Sequence, residues 1–249
     1  MAKSSGLGNL FYIAGADLSG DIGALDTISS PRSSVEITGI NSSSIERVYT
    51  HGSGQIDFSC FFNDAATQAH LTLRDLQALA TTHVIYAVGS TRGNTAALFT
   101  AKQTNYDWSN GADASLMGKV SCLGDSNVPM EWGVMLTAAK ETLSSAASLA
   151  SYDQGAATAH GAAVILQIFS IGSGAPTIKI EDSANNSDWA DLVSFAAVSD
   201  GAEPITERVV VAVGAVRRYL RVTGTGTFAN AVIAVAIRIG SAVDSEPYA

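Results

Sequence analysis

Asp17 and Asp21 stand four residues apart in a segment punctuated by Gly15, Gly20 and Gly23, and such a carboxylate pair can run acid–base chemistry if both groups converge in a pocket. Nothing around them supplies that pocket, so they read as solvated loop residues. Asp182, Asn185, Asn186 and Asp188 crowd one turn and could offer oxygens to Ca²⁺, but these residue types also build ordinary turns by bonding their own backbone. His51, His70, His83 and His160 are scattered over loop, helix and strand contexts, with no triad or metal spacing. Arg217, Tyr219 and Arg221 share one face of a strand and could stack on a sugar or clasp a carboxylate. Together with Trp189, Tyr219 and Arg221 are the candidate surface-binding residues.

No HExxH, CxxC, P-loop or GxSxG motif occurs. Gly224-Thr225-Gly226-Thr227-Phe228-Ala229 matches a relaxed dinucleotide fingerprint, but a true one opens a helix. Here Ile233, Val235, Ile237 and Ile239 alternate with smaller or polar residues, which is a strand pattern. The chain is therefore read as a non-enzyme with no catalytic, cofactor-binding or metal residues. Cys60 and Cys122 are the only cysteines and read as two packed thiols, with a single disulfide left open by spacing alone.

Charged residues are only 15% of the 249, against roughly 25% in typical soluble domains. A folded chain so poor in charge suggests large protein contacts, the alternative being a monomer coated in Ser, Thr, Asn and Gly. A net charge of −9 argues against gripping nucleic acid through its phosphates. The apolar patch Leu10 to Ile13 is too short for a secretory segment, and no run is long enough to cross a bilayer, so synthesis in a cytoplasm is expected.

Period-two alternation dominates the elements that would carry these residues. In Gln55 to Phe62, the residues Ile56, Phe58, Cys60 and Phe62 share one face and Gln55, Asp57, Ser59 and Phe61 the other. Further strands are expected at 11–14, 35–40, 83–88, 96–102, 115–122 and 132–137. One helix is expected near 64–80, capped by Asn63-Asp64 or starting at the box Thr72-x-x-Asp75. The Ala/Ser/Thr/Gly-rich stretch 138–162 reads as an exposed connection, which places a domain boundary near 150. Strands then resume at 163–171, 177–180, 192–196, 207–213, 218–223 and 232–239, the pattern of an antiparallel sandwich.

Gly6 to Gly23 (GLGNLFYIAGADLSGDIG) and Val35 to Asp64 (VEITGINSSSIERVYTHGSGQIDFSCFFND) resemble the opening of the major tail proteins of long-tailed, siphovirus-type bacteriophages. Arg218 to Ile239 (RYLRVTGTGTFANAVIAVAIRI) resembles their ending. The resemblance implies a mainly β chain: a tail-tube-type β-sandwich with one flanking helix over residues 1–150, then a C-terminal antiparallel sandwich over 151–249 that decorates the outside. It implies a virion tail location, self-assembly into stacked hexameric rings, and a channel through which DNA passes into the host without specific binding. A tape-measure protein and tube-end proteins are the other implied partners. If the second half were a diverged tube module, threefold rings would suffice instead. An acidic lumen would repel phosphate, and Glu36 and Asp57, on polar strand faces, are the lumen candidates. A capsid decoration or other virion-surface protein, and a carbohydrate-binding sandwich, are the competing readings.

Overall fold

The structure, a computed structural model, describes residues 6–78, 81–126, 128–211 and 214–241. It is mainly β with one short helix, as the alternation predicts. β1 (Leu10–Ile13) and β2 (Ala16–Asp17) form a tight hairpin. β3 (Ile22–Ser29) leads into a projecting pair, β4 (Arg32–Glu36) and β5 (Arg47–Gly52), and β6 (Gln55–Phe61) runs on to α1 (Ala69–Leu76). Next come β7 (Thr82–Ala87), the long β8 (Thr95–Asn110), β9 (Leu116–Gly124) and β10 (Glu131–Met135). Short strands β11 (Glu141–Leu143), β12 (Ala147–Ser148) and β13 (Tyr152–Asp153) lie within the stretch expected to be a connection. The chain continues with β14 (Ala162–Ser170), β15 (Ser173–Gly174), β16 (Thr177–Ser183) and β17 (Trp189–Ser194). β18 (Ile205–Val211), β19 (Tyr219–Thr225), β20 (Phe228–Ala229) and β21 (Ala231–Ile239) follow.

The main sheet runs β18-β14-β21-β10-β8-β7-β1-β2, with antiparallel pairing throughout. It rolls up, bringing β18 against β7 and β14 against β2. Tyr12, Ile85, Leu98, Met135, Ile165, Ala234 and Ala236 share one buried core on its inner face. The buried Gln167 pins the seam: its Oε1 accepts from the Gly15 N–H (2.6 Å) and its Nε2 donates to the His83 carbonyl (2.9 Å). β21 is covered on both faces, which is why its sequence AVIAVAIRI is almost wholly apolar. Where β10 meets it, a Cβ on Gly133 would lie 2.1 Å from the Ile237 carbonyl oxygen, so only glycine permits the approach.

Two further cores flank the roll. In one, Phe11, Ile13, Val84 and Phe99 meet Ile56, Phe58 and Val120 together with Ala69, Leu73 and Leu76 of α1. In the other, Val164, Leu166, Ile233 and Val235 meet Ile178, Ile180, Leu220 and Val222 of a second sheet, ordered β12-β19-β16-β17. The buried residues of the first core lie within 11–130 and those of the second within 136–237, while β21 pairs with β14 on one side and with β10 and β11 on the other.

The start of α1 differs from expectation. Its N-cap is Gln68, which makes no side-chain cap, and neither Asn63-Asp64 nor Thr72 begins the helix. Instead the buried Asp21 carboxylate accepts from the Ala69 N–H (3.0 Å) and from Asn63 Nδ2 (2.9 Å), so a residue distant in sequence satisfies the first turn. The cysteines are both free. Cys60 lies opposite Gly118 and Cys122 opposite Ile56, four ladder steps and thus roughly 13 Å apart, too far for a disulfide.

Candidate functional site: a sheet with a polar face and open edges

β8 is long enough to serve two parts of the main sheet. Its first half pairs with β7 and β10, and from Ala101 to Asn110 it pairs with β9. The distal half of β8 with β9, β6 and β3 makes a four-stranded extension of the main sheet. Ile56, Phe58, Cys60, Val120 and Cys122 point from it into the core. Its opposite face is polar in the middle, carrying Gln55, Asp57 and Ser59 on β6, Lys119 and Ser121 on β9, and Asn105, Asp107 and Ser109 on β8, with the apolar Leu123 at one end and Phe61 and Met117 at the other.

A hydrogen-bond network ties this face together. Asp57 accepts from the Ser121 hydroxyl and from Gln55 Nε2 (2.7 Å). Asn105 accepts from the Ser121 N–H (2.7 Å) and donates to Asp107 (2.7 Å). Asp57 thus lies at the centre of the polar face. Glu36 does not share it: it sits across from Arg47 on the projecting β4–β5 hairpin. The distal half of β8 is absent from the sequence reading, which ends that strand at Lys102. Its signal is the alternation of Asn105, Asp107 and Ser109 with Tyr106 and Trp108.

Among the described residues, both outer edges of this extension lack a partner strand: β3 pairs only with β6, and β8 beyond Ala101 pairs only with β9. β3 carries register shifts around Gly23 and Asp26, irregularities that blunt an edge against indiscriminate pairing. α1 braces the extension from its apolar side. Gln103 Nε2 donates to the Leu73 carbonyl (2.8 Å), His70 Nδ1 is hydrogen bonded to the Tyr106 hydroxyl (2.8 Å), and Trp108 and Phe62 pack edge-on at 5.2 Å. Burial holds the Tyr106 hydroxyl up at about 12 and the Cys60 and Cys122 thiols at about 11 and 12, so none of them ionises at neutral pH.

The other sequence candidates separate. Asp17 pairs with Lys140 (2.6 Å) while Asp21 caps α1, so the two carboxylates serve different partners. In the 182–188 turn, Asn185 accepts from the Ser187 and Asp188 N–H groups and donates to Asp188 (2.7 Å), the pattern of a self-satisfied turn. No group of three metal-ligating side chains occurs among the described residues. On the second sheet, Arg221 lies 4.1 Å over the Trp189 ring and bonds Glu181 (2.6 Å), and Arg218 lies 5.1 Å over the Tyr219 ring and bonds Asp153 (2.7 Å). Trp189 and Arg221 thus meet each other, and a guanidinium already covers one face of each aromatic ring.

No family model matches the chain, and no curated protein matches it. Among solved structures it is similar to a chain in the "Virion of native gene transfer agent (GTA) particle", at 13% identity and a TM-score of 0.43, over 52% of this chain and 98% of that one. A chain of the "Tail of empty GTA particle computed with helical refinement, C6 symmetry" gives 13% and 0.41 over 52% and 98%. The SPP1 Dit (gp 19.1) protein, described as "a Paradigm of Hub Adsorption Apparatus in Gram-positive Infecting Phages", gives 11% and 0.31 over 93% and 99%.

Proposed function

We propose that this protein is a structural component of a virion tail, a tube subunit whose copies join edge to edge into rings that stack around a DNA channel. The observation that carries this reading is the four-stranded extension, which has a hydrogen-bonded polar face and two outer edges without a partner strand among the described residues. Pairing β3 of one copy with distal β8 of the next satisfies both rows of backbone groups and removes the edges. Six copies supply about 24 strands, and at roughly 4.8 Å spacing and 40° tilt these enclose a wall about 48 Å across, wide enough for a duplex.

In this arrangement the polar face, with Asp57 and Asp107, lines the channel, and a lumen free of clustered cations lets DNA slide. Glu36, on the projecting hairpin, faces the channel less directly than Asp57. Residues 151–249 form the outward part, presenting Trp189, Tyr219 and Arg221 on the exterior. Tape-measure and tube-end proteins are its companions in the tail, and no enzymatic step is part of the role.

Negative-stain microscopy of the purified full chain tests the reading. Hollow rings or tubes with a central channel are expected. Uniform small particles that do not assemble across protein concentration and salt would overturn it, as would rings whose channel is lined by α1.

A further inference from the structure

At one end of the rolled sheet the inner face changes from apolar to charged. Glu131 lies opposite Leu98 and Arg238 stands two residues past Ala236, so both belong to the face that carries the roll's core. Glu131 is buried, and two guanidiniums approach it, Arg208 at 3.2 Å and Arg238 at 3.7 Å. Beside them opens a cavity of about 350 Å³, bounded by β10, the end of β21 and the base of the β4–β5 hairpin. Arg32 lines it from the hairpin, so three guanidiniums and one carboxylate gather here in a chain of net charge −9.

The walls of this cavity are fixed in place. The Ser30 hydroxyl donates to the Met130 carbonyl (2.8 Å), and Gly52 sits so near Pro129 that an added Cβ would lie 3.0 Å from the Pro129 Cβ. The remaining wall is apolar, made by the half-exposed Trp132 with Met130 and Ile239.

That combination selects a class of ligand. A guanidinium has five N–H donors in a flat fork and can serve more than one carboxylate at once. Positive charge gathered within an acidic chain draws a negatively charged group. Trp132 offers a ring for an aromatic or proline side chain to lie on, and Trp and Arg are the residue types that anchor protein contacts. A duplex cannot enter a cavity of this size, whereas an extended peptide can.

We propose that the cavity is a docking site for an acidic peptide segment, which sets its carboxylates against Arg32 and Arg238 and an aromatic or proline side chain against Trp132. The site stands whether or not copies form rings. Ser241 also lines the cavity, and the sequence that continues from it, AVDSEPYA, sets Asp244 and Glu246 beside Pro247 and Tyr248. Two sources therefore share the required chemistry, the chain's own residues 244–248 and a segment of another protein.

The peptide Asp-Ser-Glu-Pro-Tyr, blocked at both ends, is the probe. It is titrated at about 0.05 M salt into the full chain and into the full-length double variant Asp244→Asn with Glu246→Gln, following tryptophan emission. A saturable shift is expected, weakening as salt rises and vanishing in Trp132→Phe. Arg32 is exposed, so Arg32→Gln should keep the melting profile while the affinity for the peptide falls at least about fivefold. Tighter binding by the double variant than by the wild type assigns the site to the chain's own segment, and equal binding assigns it to another protein; both uphold the proposal. No saturable shift in either chain would overturn it. So would an affinity unchanged by Arg32→Gln, or tighter binding of a thymidine oligonucleotide than of the peptide.

Discussion

His83 sits where the rolled sheet closes, its Nδ1 hydrogen bonded to the Thr100 hydroxyl at 3.1 Å and its carbonyl held by Gln167. Burial, reinforced by the Arg208 guanidinium, lowers its imidazole from 6.5 to about 4. The unfolded chain therefore takes up this proton first. The stabilisation is complete above pH 6.5 and is lost as pH falls toward 4, by at most about 3 kcal/mol. Urea titrations between pH 7 and 5 should show the midpoint falling as pH drops, and H83Q should flatten that fall. An unchanged slope in H83Q would assign the loss to carboxylates. Arg208 is itself paired with the buried Glu131 (3.2 Å), so a positive charge stays beside the imidazole throughout this range.

Among the elements, the seam between β14 and the β1–β2 turn depends on one side chain. Replacing Gln167 by Leu keeps much of its volume but leaves the Gly15 N–H without its partner, while the His83 carbonyl keeps the longer bond from the Ala14 N–H (3.3 Å). A buried group left unsatisfied costs about 1–3 kcal/mol, so the denaturation midpoint should drop clearly. A midpoint within error of wild type would show that water replaces the amide. The alternation in Gln55 to Phe62 made β6 and its two faces legible, and the alternation of Ile233, Val235, Ile237 and Ile239 with Ala234, Ala236 and Arg238 marked β21 as a strand, while its burial on both faces came from the fold. The distal half of β8 was harder to read because Tyr106, Trp108 and the polar residues between them lack an aliphatic alternation. The cap of α1 could not be read locally at all, since Asp21 reaches it from 48 residues away. Asp17 and Asp21 looked like a pair along the chain, but the fold assigns them to Lys140 and to α1.

For the whole molecule, a net charge of −9 sets the terms of association. At roughly 0.01 M ionic strength the screening length is about 30 Å and copies repel one another, while at about 0.15 M it shrinks to about 8 Å. The assembled fraction in sedimentation should therefore rise with salt over that range. A fall would mean that ion pairs between copies, rather than backbone pairing and apolar contact, hold the proposed assembly. The polar face should not retain duplex DNA at about 0.15 M salt, since it carries Asp57 and Asp107 against Lys119 and cannot release phosphate counterions on any scale.

By itself the sequence determined the β class, the two faces of β6 and the lack of any recognisable catalytic or metal motif, because side-chain alternation and motif spacing are local properties of a chain. Only the tertiary structure decided that the main sheet rolls up around Gln167 and that the cysteines stand apart. It also placed Asp57 in a shared polar network while Glu36 sits on a projecting hairpin. Those outcomes depend on which strands pair and in what register, and strand pairing joins residues that no local pattern relates.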